Sequence, residues 1–131
     1  MQAMGLKPGP ILHGDLRFEG GLAAGLAIAQ MSPRPTAVMA VNDLTAVGVM
    51  KGLTSAGLRI PQDISVTGFD RTRLAEYSNP SITTVDIHRD LLGQMAADAL
   101  HELCRATNPQ GREYEISAEL VVGNSSGLWN S

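Results

Sequence analysis

The chain has 131 residues, 44% of them hydrophobic and 18% charged, with a formal net charge of −3. That length and balance suit one globular domain and exclude a disordered chain. The basic residues are scattered, which excludes a free-standing nucleic-acid binder, since phosphate affinity needs clustered cations.

Strand-like and helix-like segments alternate along the chain, which predicts an α/β fold with a largely parallel sheet flanked by helices. Ile11 to Leu16 is a first strand candidate. Phe18 to Met31 follows as a helix, with Leu22, Leu26 and Ala29 at helical spacing. Gly20, Gly21 and Gly25 weaken that helix by roughly 1 kcal/mol each, and are expected to allow close packing on a sheet. Thr36 to Val41 is apolar and Val-containing, as a buried strand is. A helix from Leu44 to about Ala56 carries Ala46, Val49, Met50 and Leu53 on one face, and Gly57 stands where a left-handed cap belongs. Ile64 to Phe69 reads as a second buried strand, Arg71 to Tyr77 as a turn with one helical turn, and Ile82 to Ile87 as a third strand. His88 to Cys104 is the clearest helix, with Leu92, Met95, Ala96, Ala99, Leu100 and Leu103 along one side. After a loop at Asn108, Pro109 and Gly111, Tyr114 to Val122 alternates apolar and polar residues like a strand with one wet face.

Ligands of open parallel sheets bind beyond the carboxyl ends of the strands. That rule selects Asp15 and Leu16, then Asn42 and Asp43, then Asp70. Each polar residue also has a structural role open to it. Asp43 precedes an apolar-periodic helix and is expected to cap it. Asn42 suits a turn or a ligand contact, and Asp70 a ligand contact or a cap on the following turn. Asp15 suits a turn or a cap. His101 and Cys104 lie three apart on one helix, but a structural zinc needs four protein ligands and no second pair is present, so no metal is expected. No glycine-rich phosphate loop and no G-x-S-x-G elbow occurs, so neither a cofactor nor an enzymatic activity is expected. Asn124-Ser125-Ser126 matches a glycosylation sequon, a pattern common by chance. No apolar run can span a bilayer and Met1 to Pro10 lacks a signal-peptide core, which points to the cytoplasm and away from a membrane.

Three segments, GDLRFEGG (Gly14 to Gly21), PTAVMAVNDLTAVGVMKGLTSAGLRIPQDISVTGFD (Pro35 to Asp70) and PSITTVDIHRDLLGQMAADAL (Pro80 to Leu100), resemble the C-terminal portion of the lac repressor/galactose repressor family. AELVVGNSSG (Ala118 to Gly127) is similar to the family's closing segment. The resemblance implies a two-lobed, periplasmic-binding-protein-like sensor domain that takes a small effector, usually a sugar or sometimes a purine, between its lobes. Lobe closure then alters the DNA affinity of paired subunits. By position, the resemblance assigns effector contacts to Asp70, Asn42 and Leu16. Leu16 stands where many members stack an aromatic on the ligand, and Ile87 replaces a residue that is polar in some members. It also implies a homodimer surface at Val47, Met50 and Lys51 and along Leu74, Tyr77 and Ser78. The alternative function on the same fold is a periplasmic solute-binding protein; a small α/β enzyme or phospho-acceptor module lacks a suitable lysine, since Lys7 and Lys51 are the only two.

Residues 1–131 then form a partial effector-binding domain, a C-terminal fragment, and DNA is reached only through a helix-turn-helix that lies outside the chain. The helix from His88 would belong to a lobe whose sheet is missing, and the remaining sheet would show an open edge. Burying one large aliphatic side chain is worth roughly 1.5–3 kcal/mol. The helix and the Tyr114 to Val122 strand are therefore expected to dock in a non-family position on their own chain, or on a second copy.

Overall fold

The computed structural model describes residues 9–128. Its elements are α1 (Phe18–Ala29), β1 (Ala37–Met39), α2 (Asp43–Ser55), β2 (Ser65–Thr67), α3 (Arg73–Tyr77), β3 (Thr84–Asp86), α4 (Arg89–Arg105) and β4 (Glu119–Val121). The α/β alternation predicted from the sequence is present, with shorter strands. Ile11 to Leu16 is not a strand: Ile11, Leu12 and Leu16 are exposed, and without a neighbour to pair with, an apolar run has no reason to extend into a ladder.

β1 and β2 pair in parallel, with Val38 opposite Val66. A parallel bridge between Thr67 and Thr83 links β2 to the chain entering β3, and Asp70 N donates to Val85 O at 3.0 Å. β3 and β4 pair antiparallel, with Val85 opposite Leu120. Below the bridge, β2 and β3 part, and Ser125 fills the gap. Its buried hydroxyl accepts from Thr83 N at 2.9 Å and donates to Val66 O at 2.6 Å, while its carbonyl accepts from Val66 N. Ser125, the middle residue of the sequon, is thus a fastener between two strands.

The core gathers Ile28 of α1, Val49, Met50 and Leu53 of α2, Val66 of β2, and Ile60, Ile64, Ala75 and Ile82. α1 and α2 form the main helix–helix contact. Gly21 and Gly25 of α1 and Gly48 and Gly52 of α2 lie at the seam, and a Cβ at any of them would strike backbone of the facing helix. The glycines of α1 therefore admit another helix, and not the sheet expected from the sequence. Gly57, at φ 86°, closes α2 as expected, with Gly57 N donating to Thr54 O.

α4 does not dock on the rest of its own chain among the described residues. None of its residues is buried, none of the main packing interfaces involves it, and Leu92 and Leu100 are exposed. The expectation of a refolded position on the same chain fails because no apolar surface of the described residues lies against the helix. β4 does find a partner, on β3. Among the described residues β1 pairs only with β2, and Met39 and Val41 are exposed there, so the open edge expected from the sequence is present. A helix held by few tertiary contacts is marginal in water. Backbone amides of α4 are expected to exchange with deuterium at least about a hundredfold faster than those of Val49 to Leu53; equal protection in a hydrogen-exchange measurement would contradict this packing.

Candidate functional site

The parallel pairing of β1 and β2 brings their carboxyl ends to the same side. Asp43 N donates to Phe69 O at 2.9 Å, so Asn42 and Asp70 flank one hydrogen bond. Leu16 joins them, because Asn42 Nδ2 donates to Leu16 O at 3.2 Å. The three residues predicted from the sequence therefore meet at one mouth.

Asn42, and not Asp43, caps α2: its Oδ1 accepts from Thr45 N at 2.8 Å. That engages its acceptor, and the Leu16 carbonyl takes one amide hydrogen, which leaves one N–H to offer a ligand. The Asp70 side chain forms no hydrogen bond among the described residues and is half-buried, so both carboxylate oxygens are available to accept. Asp70 does not cap α3 either; Thr72 holds that position.

Asp43 has a different task. It is fully buried. Its Oδ2 accepts from Thr72 N at 2.6 Å and from Thr72 Oγ1 at 3.0 Å, and its Oδ1 accepts from Thr84 Oγ1 at 2.6 Å. One side chain at the first turn of α2 thus ties the loop after β2 to β3. Gly68 is required beside it, since a Cβ there would strike Asp43 Oδ1.

Among the described residues, four non-glycine residues adopt left-handed backbone: Leu16 (φ 65°), Asp70 (φ 96°), Arg71 (φ 45°) and His88 (φ 49°). Each such conformation costs on the order of 1 kcal/mol or more, and residues of this kind concentrate at functional sites. Leu16, Asp70 and Arg71 stand at or beside the mouth, and His88 follows β3. Asp86 braces this region. It accepts from Arg71 Nη1 at 2.7 Å and from His88 N at 2.8 Å. The Arg71 hydrogen bond first, and the His88 N–H second, hold the Asp86 carboxyl below the ordinary carboxylate range. Asp86 in turn raises the Arg71 guanidinium above its ordinary value through the same hydrogen bond. His88 Nδ1 lies 3.5 Å from Asp86 Oδ2, and its Nε2 lies 3.9 Å from Glu119 Oε1 on β4.

Sequence reasoning missed Asp86, Arg71 and the role of Asp43. The one signal for Asp43 was an acid directly after an apolar strand; its partners lie 29 and 41 residues away. Of the residues proposed for a dimer surface, Lys51, Leu74 and Tyr77 are exposed and Val47 and Ser78 half-buried. Met50, at 5% exposure, lies in the hydrophobic core of its own chain. Among the described residues, no three His, Cys, Asp or Glu side chains gather as metal ligands, and no helix is long and apolar enough to cross a membrane.

The family described as periplasmic binding protein-like domain matches residues 1–126. The chain is 40% identical over 112 residues to the HTH-type transcriptional repressor PurR of Vibrio vulnificus (strain CMCP6), covering 86% of this chain and 34% of that protein. It thus spans about a third of the length of the curated relatives it matches. The structure of the transcriptional regulator CelR in complex with cellobiose superposes with TM-score 0.87 at 27% identity, covering 95% of this chain and 39% of that one. A LacI-type transcription regulator from Bifidobacterium animalis subsp. lactis DSM 10140 superposes with TM-score 0.81 at 35% identity, over 88% of this chain and 41% of the other. A LacI family regulator from Enterococcus faecium with bound ribose gives TM-score 0.81 at 28% identity, over 88% and 42%. Superposition on nearly the whole chain also argues against a rearranged position for α4 or β4.

Proposed function

Because this chain belongs to the periplasmic binding protein-like domain family, on the branch of the lac repressor/galactose repressor regulators, we propose that it is the effector-sensing and dimer-forming part of a transcription regulator. The effector is a small sugar-like molecule. It controls DNA binding allosterically, through a helix-turn-helix domain separate from these residues, in the cytoplasm and without chemical turnover. The observation that carries this is the convergence of Asn42, Asp70 and Leu16 at the carboxyl ends of adjacent parallel strands. Asp70 offers two free acceptors to vicinal hydroxyls, and Asn42 offers one donor beside them. Leu16 has no π face to stack on a sugar ring, so the hydroxyl contacts must supply more of the affinity. The regulator relatives favour this over a periplasmic solute-binding protein.

The homodimer surface comprises Val47, Lys51, Leu74, Tyr77 and Ser78, supported from beneath by Met50. The contact between α2 and α3 supports grouping these residues in one surface.

In a family whose effector sits between two lobes, one lobe supplies only part of the contacts, and binding by these 131 residues is expected to be weak. A thermal-shift screen of sugars and purines tests the function, since a ligand of the native state raises the melting temperature. Asp70→Ala is expected to weaken the effector about 10- to 100-fold, the worth of a charge-assisted hydrogen bond, with the melting temperature of the unliganded chain unchanged. A sugar that binds equally well to the variant would remove Asp70 from the site.

A further inference from the structure

Asp70 and Arg71 are consecutive, with Cα atoms about 3.8 Å apart, so the arginine stem can bring its charge to the preceding carboxylate. A guanidinium on Asp70 would engage both carboxylate oxygens, since the two groups match as forks, and would leave no acceptor for an effector hydroxyl. The structure holds the other arrangement. Arg71 Nη1 donates to Asp86 Oδ2 at 2.7 Å. The carboxylates that act on the Arg71 charge are those of Asp86, Glu76 and Glu119, and Asp70 is not one of them. Burial does not fix this choice, because the Arg71 side chain is 54% exposed. The constraint comes from β3. Asp70 N donates to Val85 O at 3.0 Å and Arg71 N to Thr84 Oγ1 at 3.3 Å. The two residues, both in left-handed backbone, are thereby pinned along the strand. Asp86 follows Val85 and is itself aimed by a bond from His88 N at 2.8 Å. That bond, two residues on, is a local Asx turn and needs no packing of α4.

We propose that Asp86 is a positioning residue of the effector site: by sequestering the Arg71 guanidinium, it keeps the Asp70 carboxylate free to accept hydroxyls. Asp86 does this without touching the effector. The proposal rests on the effector-sensing function above and gives it a specificity determinant. An unpaired carboxylate accepts from the hydroxyls of a neutral ligand and repels an anionic one, whereas an Asp70–Arg71 pair would do neither.

A double-substitution cycle on the 131-residue chain tests it, read from the carbon-13 shift of the Asp70 carboxyl during acid titration. Arg71→Met, which keeps the stem and removes the charge, is made in the parent and in Asp86→Asn. Asparagine retains one oxygen for the His88 N–H, so the turn survives while the ion pair is lost. In Asp86→Asn the released guanidinium moves to Asp70 and favours its charged form. Removing that guanidinium is then expected to raise the pH at which Asp70 titrates by about one unit. In the parent, where Asp86 holds Arg71 away, the same substitution is expected to move it by less than about half as much. With Arg71 fixed in one place the two shifts are equal, because the charge effects add; only its transfer to Asp70 makes them differ. Equal shifts, or a smaller one in Asp86→Asn, overturn the proposal and leave the sensing function standing. Asp86→Ser, whose hydroxyl can also accept the His88 N–H, takes the place of Asp86→Asn if that variant does not fold. The cycle needs no effector, so the sensing function fails separately, if a sugar binds Asp70→Ala and the parent alike.

Discussion

Asp43→Ala is expected to destabilise the domain by about 3 kcal/mol, with a fall in melting temperature of about 10 °C. The carboxylate is fully buried and has three donors on it, Thr72 N, Thr72 Oγ1 and Thr84 Oγ1. These bonds, with the positive end of α2, offset its desolvation. Alanine removes the acceptor and strands all three donors in a space closed to water, and each buried unsatisfied group costs about 1–3 kcal/mol. The two threonine hydroxyls can turn elsewhere; the Thr72 amide cannot. Asp43→Asn is expected to cost less, about 1–2 kcal/mol, because its carbonyl can accept from Thr72 N while its NH2 donates to a reoriented Thr84 hydroxyl. Urea unfolding followed by circular dichroism measures both. Loss of order at Thr72 should also misplace Asp70 and Arg71, so Asp43→Ala is expected to weaken effector binding with no contact to the ligand. An alanine variant as stable as the parent would show that the buried network contributes nothing.

The second large effect is expected at Gly48. Alanine is favoured over glycine in a helix by about 1 kcal/mol, so helix propensity by itself predicts stabilisation. The seam between α1 and α2 reverses the sign. A Cβ at Gly48 would meet Phe18 O, Leu22 N and Gly21 C, all backbone atoms that no side-chain rotation can clear. The helices must separate, which opens the core around Ile28, Val49 and Leu53. Gly48→Ala is expected to cost about 2 kcal/mol net, within the range for overpacking. Gly93, on α4, is the control, since a Cβ there meets nothing within 4 Å. Gly93→Ala is expected to increase helicity at 222 nm without lowering the cooperative unfolding midpoint. If both substitutions stabilise, the close helix contact is wrong.

The elements α1, α2 and α4 were legible because period-3.6 patterns survive over a dozen residues, and Gly57 marks the C-terminal end of α2. β1 and β2 were legible as short apolar runs, and the rule about strand termini led to Asn42 and Asp70. What failed was anything that depends on a partner. Ile11 to Leu16 has strand composition but no neighbouring strand, so it stays irregular. Met50 belongs to the helical stripe and was also assigned to an outer surface; only its packing shows which way it faces. Gly21 and Gly25 announce a close approach, but whether to sheet or helix depends on the matching glycines of α2.

Local chemistry therefore determined the α/β alternation, the helix ends, and the chain positions where polar residues leave the strands. Those depend on neighbours a few residues apart, which the order of amino acids records directly. The tertiary structure decided that Asp43 and Ser125 fasten distant strands, that Arg71 pairs with Asp86, and that α4 stays uncovered among the described residues. Each of those depends on groups brought together from far along the chain, or on surface that no other segment reaches, and no local pattern encodes such distances.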